Sequence, residues 1–524
     1  MSTDKTHTEL RNENITQELL FEITEDMKVA MEKAQLKKTK ELEAQKSTRN
    51  TEKNNFRPYD QEQNFFMTVS KEKFFDEEHP VAIIDLIVER LNLSGIYACY
   101  SHEGNQPYHP KMMLKILFYA YYIGVMSCRS IWDSVINRAD FIYLASGQVP
   151  NFRTINSFRL THLEKLTDLF AQIVMLCREL GMIDMDHLAI DGQKIHGNAS
   201  FRKSKNLKGL KDEHGKIHNG LKKLLSKDIN EHFSEETKQK RISTMSKKLE
   251  QLDMLQIELE ALDDENKRIN MTDKDANIMK HKDSTSKPSY NHQSAVDGKH
   301  GVVTAIQTTQ ASDAPDDLMA IVDSSVKNTG EKHKHITADS GFCDYEKLES
   351  MEKREEDFFV PDRRFETSKK DVSEKKMFTQ EDFKKDDAEN YICPAGHEMY
   401  YTGSVKNNKG NDMFRYEGTC CSNCVIKSKC TTGKKRSINI DIREKYREIM
   451  RSKLNTDRGR EIYTKRQGLV ESVHGDDQKN KGWKQHHLRG LEKATGEFTL
   501  IRIATNLGKI IKFKSSKMLS LGYT

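Results

Sequence analysis

The spacing of apolar residues divides the chain into helical and strand-like stretches. From about Phe56 to Gly181, apolar and aromatic residues recur every three to four positions, which predicts an all-helical region. Its last helix should end at Gly181, because glycine readily takes the left-handed backbone that closes a helix. The apolar face of that helix consists of Leu163, Leu166, Phe170, Ile173, Cys177 and Leu180.

After Met182 the apolar period shortens to that of strands. Short strands are predicted at 187–191, 292–297, 302–309, 335–339 and 357–362. The second and third form a hairpin, because the glycine-containing turn 298–301 joins them. A helix with an apolar face from Leu491 to Leu507 follows near the end. The predicted fold class is α/β with a large helical part, a mixed sheet flanked by helices.

Two insertions interrupt the predicted sheet. The first, at about 202–280, is basic and carries an apolar stripe from Ile242 to Leu262, which predicts an amphipathic helix that packs on a neighbour. The second contains a cysteine cluster. The expected division is a charged arm, helical or disordered, at 1–55, a helical domain at 56–181, a first part of the sheet domain at 182–364, the cysteine insertion at 365–460 and the end of the sheet domain at 461–524.

Composition and charge narrow the class of protein. The 524 residues hold 85 Lys+Arg and 80 Asp+Glu, a net charge of +5 that by itself does not argue for nucleic acid. The charge of one segment differs from this average, because residues 202–227 contain nine basic residues and two acids. This excess favours a salt-dependent contact with DNA over a plain solvated helix surface. With no membrane-length apolar stretch and no signal-peptide pattern, a cytoplasmic protein without a membrane partner is expected.

Two aspartates end predicted strands, and small residues follow each. Asp191 precedes Gly192, and Asp339 precedes Ser340 and Gly341. A carboxylate at a strand end has a fixed backbone and can hold a divalent cation, although each taken singly could be an ordinary turn former. A two-metal phosphodiester site needs a third acid, for which Glu471 is the choice. Glu492 and Glu497 compete, but the apolar face of the last helix suggests a structural role for them.

Basic and aromatic residues surround Glu471 and suit a grip on phosphates. They are Tyr463, Lys465, Arg466, Lys479, Lys481, Trp483, Lys484 and Arg489. Further candidates for DNA contact are Arg202, Lys203 and Lys205 in the basic insertion. In the helical region they are Lys111, Arg129, Arg138, Arg153 and Arg159, with Asn151 at a helix start; ordinary surface charges are the alternative there.

Five of the nine cysteines fall between Cys393 and Cys430. The spacing of Cys393, Cys421, Cys424 and Cys430 could supply four thiolates to a tetrahedral zinc ion, with His397 or Cys420 as substitutes. Free, reduced cysteines packed in an insertion are the alternative. The histidines at 281, 292, 300, 333 and 335 have no ligand spacing and are expected to face solvent or the hairpin.

Several stretches together resemble the DDE transposases of bacterial insertion sequences, in the group with a Tyr-Arg-Glu-Lys signature. They are 108–131, 150–163, 189–200, 288–297, 337–342, 391–399 and 470–511. The resemblance implies an RNase H-like catalytic fold, a helical DNA-binding domain, Mg²⁺ or Mn²⁺ as cofactor, and cut-and-join chemistry on terminal inverted repeats and target DNA. It implies Asp191, Asp339 and Glu471 as catalytic metal ligands, with Tyr463 and Arg466 handling phosphate. A nucleoid-associated protein that dimerises when it synapses two ends is expected.

The match departs from the family at two positions. The signature lysine is expected seven residues after the glutamate, where this chain has Gln478, with Lys479 one further on. His474 stands where related sequences commonly have an aromatic residue. Two alternatives therefore stay open: a catalytically silent, DNA-binding descendant of such an enzyme, and a metal-dependent nuclease of the same fold that cuts without joining.

Overall fold

The computed structural model describes most of the chain after residue 74. The described residues are 75–76, 78–100, 106–225, 234–262, 264, 266–312, 317–365, 377–386, 390–407 and 410–520, without the side chains of 515–520. The arm predicted at 1–55 lies outside these residues. Among the described helices, none is long and apolar enough to cross a membrane.

The region up to residue 181 is helical, as its periodicity predicted. Its helices are α1 Pro80–Arg90, α2 Ser94–Tyr97, α3 Pro110–Tyr122, α4 Cys128–Asn137, α5 Ala139–Leu144, α6 Phe152–Thr161 and α7 Leu163–Glu179. Asn151 caps α6, since its side chain accepts hydrogen bonds from the backbone N–H groups of Arg153 and Thr154. Gly181 follows α7 with φ +73°, the left-handed conformation expected of it.

A mixed sheet of six strands follows. The strands are β1 His187–His196, β4 Asn277–Lys280, β5 Ser286–Asp297, β6 Val303–Thr309, β7 His335–Ala338 and β8 Asp357–Phe359. Their order is β4-β5-β1-β7-β8. Strand β6 also pairs with β5, along residues 291–296, which follow the part of β5 that pairs with β4. Strand β5 runs antiparallel to β1, whereas β7 is parallel to β1 and β8 is parallel to β7. The five predicted strands are thus present, with α10 Asp317–Thr329 and α11 Tyr345–Glu352 between them.

The first insertion is a helical pair. Helices α8 Leu207–Leu225 and α9 Glu235–Glu260 pack together above the two-residue strands β2 Ser204–Lys205 and β3 Ile269–Asn270. The predicted apolar stripe on α9 supplies Leu252, Leu255 and Leu259 to a small separate core. The stripe therefore packs on a neighbouring helix of the same chain.

The remaining elements form the second insertion and the helices that close the structure. They are β9 Lys384–Lys385, β10 Tyr391–Ile392, β11 Met399–Lys406, β12 Asp412–Gly418, α12 Lys427–Cys430, β13 Ser437–Asp441, α13 Glu444–Asn455, α14 Asp457–Gly475 and α15 Leu491–Ser520. Strands β11, β12 and β13 make an antiparallel sheet of their own. A π-helical turn, Asp476–Asn480, continues α14.

Helix α15 lies between the N-terminal helices and the sheet. Its buried residues Phe498, Ile501 and Leu507 belong to one hydrophobic core together with residues of α1–α7 and of β1, β5 and β6. Asn506 extends the backbone pairing of β6, because its side chain accepts from the N–H of Val303 and donates to the C=O of the same residue. Residues 496–507 of α15 are all buried, and the polar ones among them, such as Arg502 and Asn506, have partners inside the protein.

A buried ion pair fixes the junction between α14 and α15. The Arg502 guanidinium donates two hydrogen bonds to Asp477, at 3.0 Å to Oδ1 and 2.7 Å to Oδ2, and both side chains are fully buried. Gln193 of β1 donates from Nε2 to the same carboxylate at 2.7 Å. The π-helical turn directs Asp477 inward, so three elements meet at one carboxylate.

Two histidines expected to face solvent or the hairpin are instead buried. His292 is fully buried, with its Nε2 2.7 Å from Nε2 of His486, and His486 in turn contacts buried Glu497 at 3.0 Å. His333 is 2% exposed, and its Nε2 lies 3.3 Å from Asp297. The expectation was wrong because strand pattern alone does not show what covers each face. Of the two glutamates expected on a packed turn, Glu497 is buried and Glu492 is exposed.

We predict that Asp477→Ala lowers the free energy of unfolding by about 3–5 kcal/mol, because it leaves the Arg502 guanidinium charged and unpaired inside the fold. Urea unfolding followed by circular dichroism measures the change. Asp457→Ala is the matched control, since Asp457 is fully exposed at the start of α14 and should cost less than ~1 kcal/mol. Equal costs for the two variants would contradict a central role for the Asp477–Arg502 pair.

Candidate active site

Asp191 and Asp339 lie side by side on one face of the sheet. Ile190 of β1 pairs with Ala338 of the parallel strand β7, so the next residue on each strand is an aspartate at the same level. Neighbouring strands are about 4.8 Å apart, and residues in register point to the same face. Asp339 directly follows β7, as predicted. The prediction that Asp191 ends its strand was wrong, because pairing with β5 extends β1 to His196 and leaves Asp191 in the middle of the strand. The pairing of β1 with β7 brings the two aspartates together.

The backbone after each aspartate fixes its carboxylate. The N–H of Gly192 donates to Oδ1 of Asp191, and the N–H of Gly341 donates to Oδ1 of Asp339, both at 2.9 Å. Burial, together with the negative charge of Asp339, raises the pKa of Asp191 to about 6. The two carboxylates therefore repel each other in a partly desolvated site. A bound cation would relieve this repulsion.

Helix α14 covers this face of the sheet and brings Arg466 to Asp191. The Arg466 Nη1 atom lies 3.6 Å from Asp191 Oδ1, and the guanidinium sits over the Tyr463 ring at 5.5 Å. The side chain is only 15% exposed, yet within the described part of the chain its Nε and Nη1 have no hydrogen-bond partner. A buried guanidinium with unused donors is suited to an anionic ligand.

His474 approaches Asp191 from the next part of the same helix. Its Nδ1 lies 3.7 Å from Asp191 Oδ2. Burial, with the positive charges of Arg502, Lys282 and Arg466, lowers the pKa of His474 to about 3. The imidazole is therefore neutral at pH 7 and adds no positive charge to the site.

Glu471 lies on α14 but on a different side of it. Five residues separate it from Arg466, which is roughly 140° around an α-helix. Its side chain is exposed, and its Oε1 accepts a hydrogen bond from Gln467 Nε2 at 2.9 Å. Throughout the described ranges, no group of three or more His, Cys, Asp or Glu side chains is arranged to hold a metal ion. Two of the three predicted carboxylates are thus together, and the third is apart from them.

The other predicted DNA-contact residues divide into exposed and buried groups. Arg153, Arg202, Lys203 and Lys479 are exposed, and Lys205 is half-buried. Trp483 is 1% exposed and stacks on Phe498, and Arg159 is 4% exposed and donates to the Tyr121 hydroxyl at 3.0 Å. A buried side chain offers no surface to a phosphate, so we assign Trp483 and Arg159 to packing rather than to DNA contact.

Two stretches of the chain match known families. Residues 392–511 match the family described as Transposase DDE domain, and residues 69–160 match the one described as Transposase domain (DUF772). No curated protein and no solved structure matches the chain. The two matches indicate an insertion-sequence DDE transposase. They support a function in DNA transposition and an enzyme of the nuclease and transposase type in general.

Several residues that shape the transposase site escaped the sequence analysis. His474 was noted only as a departure from the family, and Gln193, Asp477 and Arg502 were not singled out. Arg502 lies within an otherwise apolar helix face, and nothing in its sequence neighbourhood marks Asp477 as its partner. Lys282, whose charge acts on both Asp191 and His474, comes from the turn between β4 and β5.

We predict that Asp191→Asn makes the metal-free transposase more stable at pH 8. The raised pKa of Asp191 means that ionisation at this site opposes folding, so removing the charge should add about 2 kcal/mol to the free energy of unfolding. The gain should disappear below about pH 4, where the carboxyl is protonated in both the folded and unfolded states. Urea unfolding in EDTA at a series of pH values measures it.

Asp186→Asn serves as the control for that experiment, because Asp186 immediately precedes β1 and is exposed. Its stability should change little and should show no such pH dependence. A loss of stability in Asp191→Asn at pH 8 would contradict the proposed repulsion between the two carboxylates.

Proposed function

We propose that this transposase binds the terminal inverted repeats of its element and catalyses metal-dependent DNA cleavage and strand transfer. The observation that carries the proposal is the pair of aspartates, Asp191 and Asp339, at the same level of adjacent parallel strands. The order of the sheet supports an RNase H-like core: an antiparallel trio β6-β5-β1 is followed by two strands parallel to β1.

The donors at this face suit a divalent cation such as Mg²⁺ or Mn²⁺. Two carboxylates are hard oxygen ligands. Burial and the negative charge of Asp339 raise the pKa of Asp191 to about 6, so a cation beside the two carboxylates would be favourable. Asp191 and Asp339 would hold the metal. When bound, it would activate the attacking oxygen and stabilise the leaving oxygen of a phosphodiester.

Arg466 and Tyr463 would position the scissile phosphate. The free donors of Arg466 face the aspartates, and the Tyr463 ring supports the guanidinium from one side. Neutral His474 fills the space on the other side of Asp191 and adds a polar contact without an extra charge. The protein's own contribution is thus to orient the phosphate and to fix both carboxylates before DNA arrives.

Glu471 remains our choice for the third metal ligand. Its carboxylate is accessible and is held only by a hydrogen bond to a neighbouring exposed glutamine on the same helix. Such a bond is worth about 1 kcal/mol, so a bound cation and DNA could outweigh it. We propose that the side chain turns toward the aspartates when the substrate is bound.

We predict that Asp339→Ala abolishes cleavage while it preserves DNA binding, because the variant loses a metal ligand but keeps the DNA-contacting surface. Purified protein is incubated with Mg²⁺ or Mn²⁺ and end-labelled DNA that carries the inverted repeats flanking the coding region. Cleavage should fall at least ~10³-fold for Asp339→Ala, as expected when a site loses its metal, and similarly for Glu471→Gln. Gel-shift binding should stay within about threefold.

Asp186→Ala is the control and should cut like the wild type. Repeat-specific binding without metal-dependent cuts in the wild type would favour a catalytically silent DNA-binding protein, an outcome for which Gln478 gives a sequence reason. Cuts without joined products would favour a nuclease. Loss of binding and cleavage together in Asp339→Ala would show that the residue supports the fold.

The basic stretch after β1 would add a sequence-independent grip on double-stranded DNA. Arg202 and Lys203 are exposed in the turn between β1 and β2, and Lys205 is the second residue of β2. They lie about ten residues after Asp191 in the chain. DNA bound by them would therefore extend beyond the proposed catalytic face. Exposed Lys479 could supply the charge that Gln478 lacks, because an ammonium acts as a point charge on a flexible stem.

We predict that replacing Arg202, Lys203 and Lys205 together by Ala reduces the slope of log K against log salt by about 2–3, close to one per lost phosphate contact. Fluorescence anisotropy with repeat DNA and with unrelated DNA measures the slope. Both DNAs should lose affinity alike. A control of equal charge replaces three basic residues of α9 together: Lys238, Lys240 and Arg241. An equal change of slope in this control would mean that the salt dependence of DNA binding follows the total charge of the protein and not the position of the basic residues.

A further inference from the structure

The cysteines of the second insertion gather around one small cavity. The cavity, of about 20 Å³, is lined by Cys393, Cys421, Cys424 and Cys430, together with Cys420 and His397. This is room for one water-sized particle or one ion. None of these thiols is in a disulfide. Residues 37 positions apart in the chain are therefore brought to one point.

Four of the five thiols are distinguished from the fifth by their surroundings. Cys430 is buried and Cys393, Cys421 and Cys424 are half-buried, whereas Cys420 is exposed. The geometry thus selects the same four residues that the spacing indicated.

A tight turn holds one of these cysteines in place, and a backbone N–H points to the sulfur of another. Cys393 begins a tight turn, in which its N–H donates to the C=O of His397 at 2.8 Å and Gly396 takes φ +83°. The N–H of Arg436 points to Cys421 Sγ at 3.5 Å. Glycine at position 418 leaves room for the Cys421 sulfur, because a Cβ atom at this position would lie 2.6 Å from the sulfur.

The insertion has too small a core to be well stabilised by hydrophobic burial alone. Its buried cluster consists of Phe378, Phe383, Tyr391, Met399, Cys430, Ile438 and Ile440. Small folding units commonly need a disulfide or a metal in addition to their core. Here the thiols are free, so a metal is the device that the chemistry offers.

We propose that Cys393, Cys421, Cys424 and Cys430 bind one structural zinc ion in this insertion. The four sulfurs are not in ligating positions in the structure, since no metal-holding group of three or more such side chains occurs among the described residues. Zinc would close the cavity by drawing them inward. On binding, four thiols lose their protons to solvent, and the site carries a net charge of −2.

Nearby basic residues would offset that charge. Arg436 donates to the C=O of Cys430 at 3.1 Å. Lys427 lies on the same short helix as Cys430 and also lines the cavity. Sulfur-only ligation with no place for a water ligand is typical of structural rather than catalytic zinc.

The test measures metal in the full-length protein rather than activity. Protein is produced in zinc-supplemented medium, purified without chelator and examined by elemental analysis. About one zinc per chain is expected for a closed thiolate site. Reconstitution with Co²⁺ should give sulfur-to-cobalt charge-transfer bands and the intense visible bands of tetrahedral cobalt.

Adjacent cysteines provide a matched pair of variants. Cys421→Ser should reduce zinc to below ~0.2 per chain, and Cys420→Ser should leave it unchanged, because only the first is a proposed ligand. Wild-type zinc below ~0.2 per chain with no cobalt spectrum would overturn the proposal, and so would retention of zinc in Cys421→Ser. Circular dichroism of each variant checks that the helical part is still folded, since the cysteine insertion has a separate core.

Discussion

The arrangement of the candidate active site depends on the buried ion pair between Asp477 and Arg502. A charged pair with no exposed surface tolerates little displacement, because either group alone inside the fold would be unsolvated. The pair joins the end of α14 to α15, and Gln193 adds β1 to the same carboxylate. These contacts set the rotation of α14 over the sheet and thereby decide which of its side chains face Asp191.

That rotation brings Arg466 and His474 to the aspartates and leaves Glu471 on the exposed side. The result is a site in which two carboxylates repel each other. Beside them, the Arg466 guanidinium has donors without a hydrogen-bond partner among the described residues. Such groups cost stability in the free protein, and the cation and phosphate proposed above would satisfy them together. The free protein would therefore already be organised around the charges of the proposed ligands.

The two insertions are attached to this core without entering it. The helical pair α8–α9 and the cysteine insertion each have a separate small cluster of buried residues. The cysteine insertion is connected to the sheet domain by charges, since Arg451 of α13 donates both to Asp362, which follows β8, and to Glu381. Local stability in the insertion can thus change while the catalytic face keeps its shape.

The helices, the strands and the position of Asp339 directly after β7 were predictable from the sequence, because apolar period and turn chemistry are local properties. The sequence also singled out Asp191 but placed it at the end of its strand, whereas pairing with the distant strand β5 extends β1 to His196. The sequence also grouped the four cysteines by spacing. It did not show which side of α14 faces the sheet, nor that His292, Trp483 and Arg159 are buried.

Those features were decided by contacts between residues far apart in the chain. Asp477 and Gln193 are 284 positions apart, and His292 and His486 are 194 apart. A helix with mixed polar and apolar residues can be rotated in several ways that satisfy its own hydrogen bonds equally well. The burial of Asp477 against Arg502 and β1, together with the buried Val470 and Val473, selects one of them, since other rotations would leave a charge without a partner inside the core.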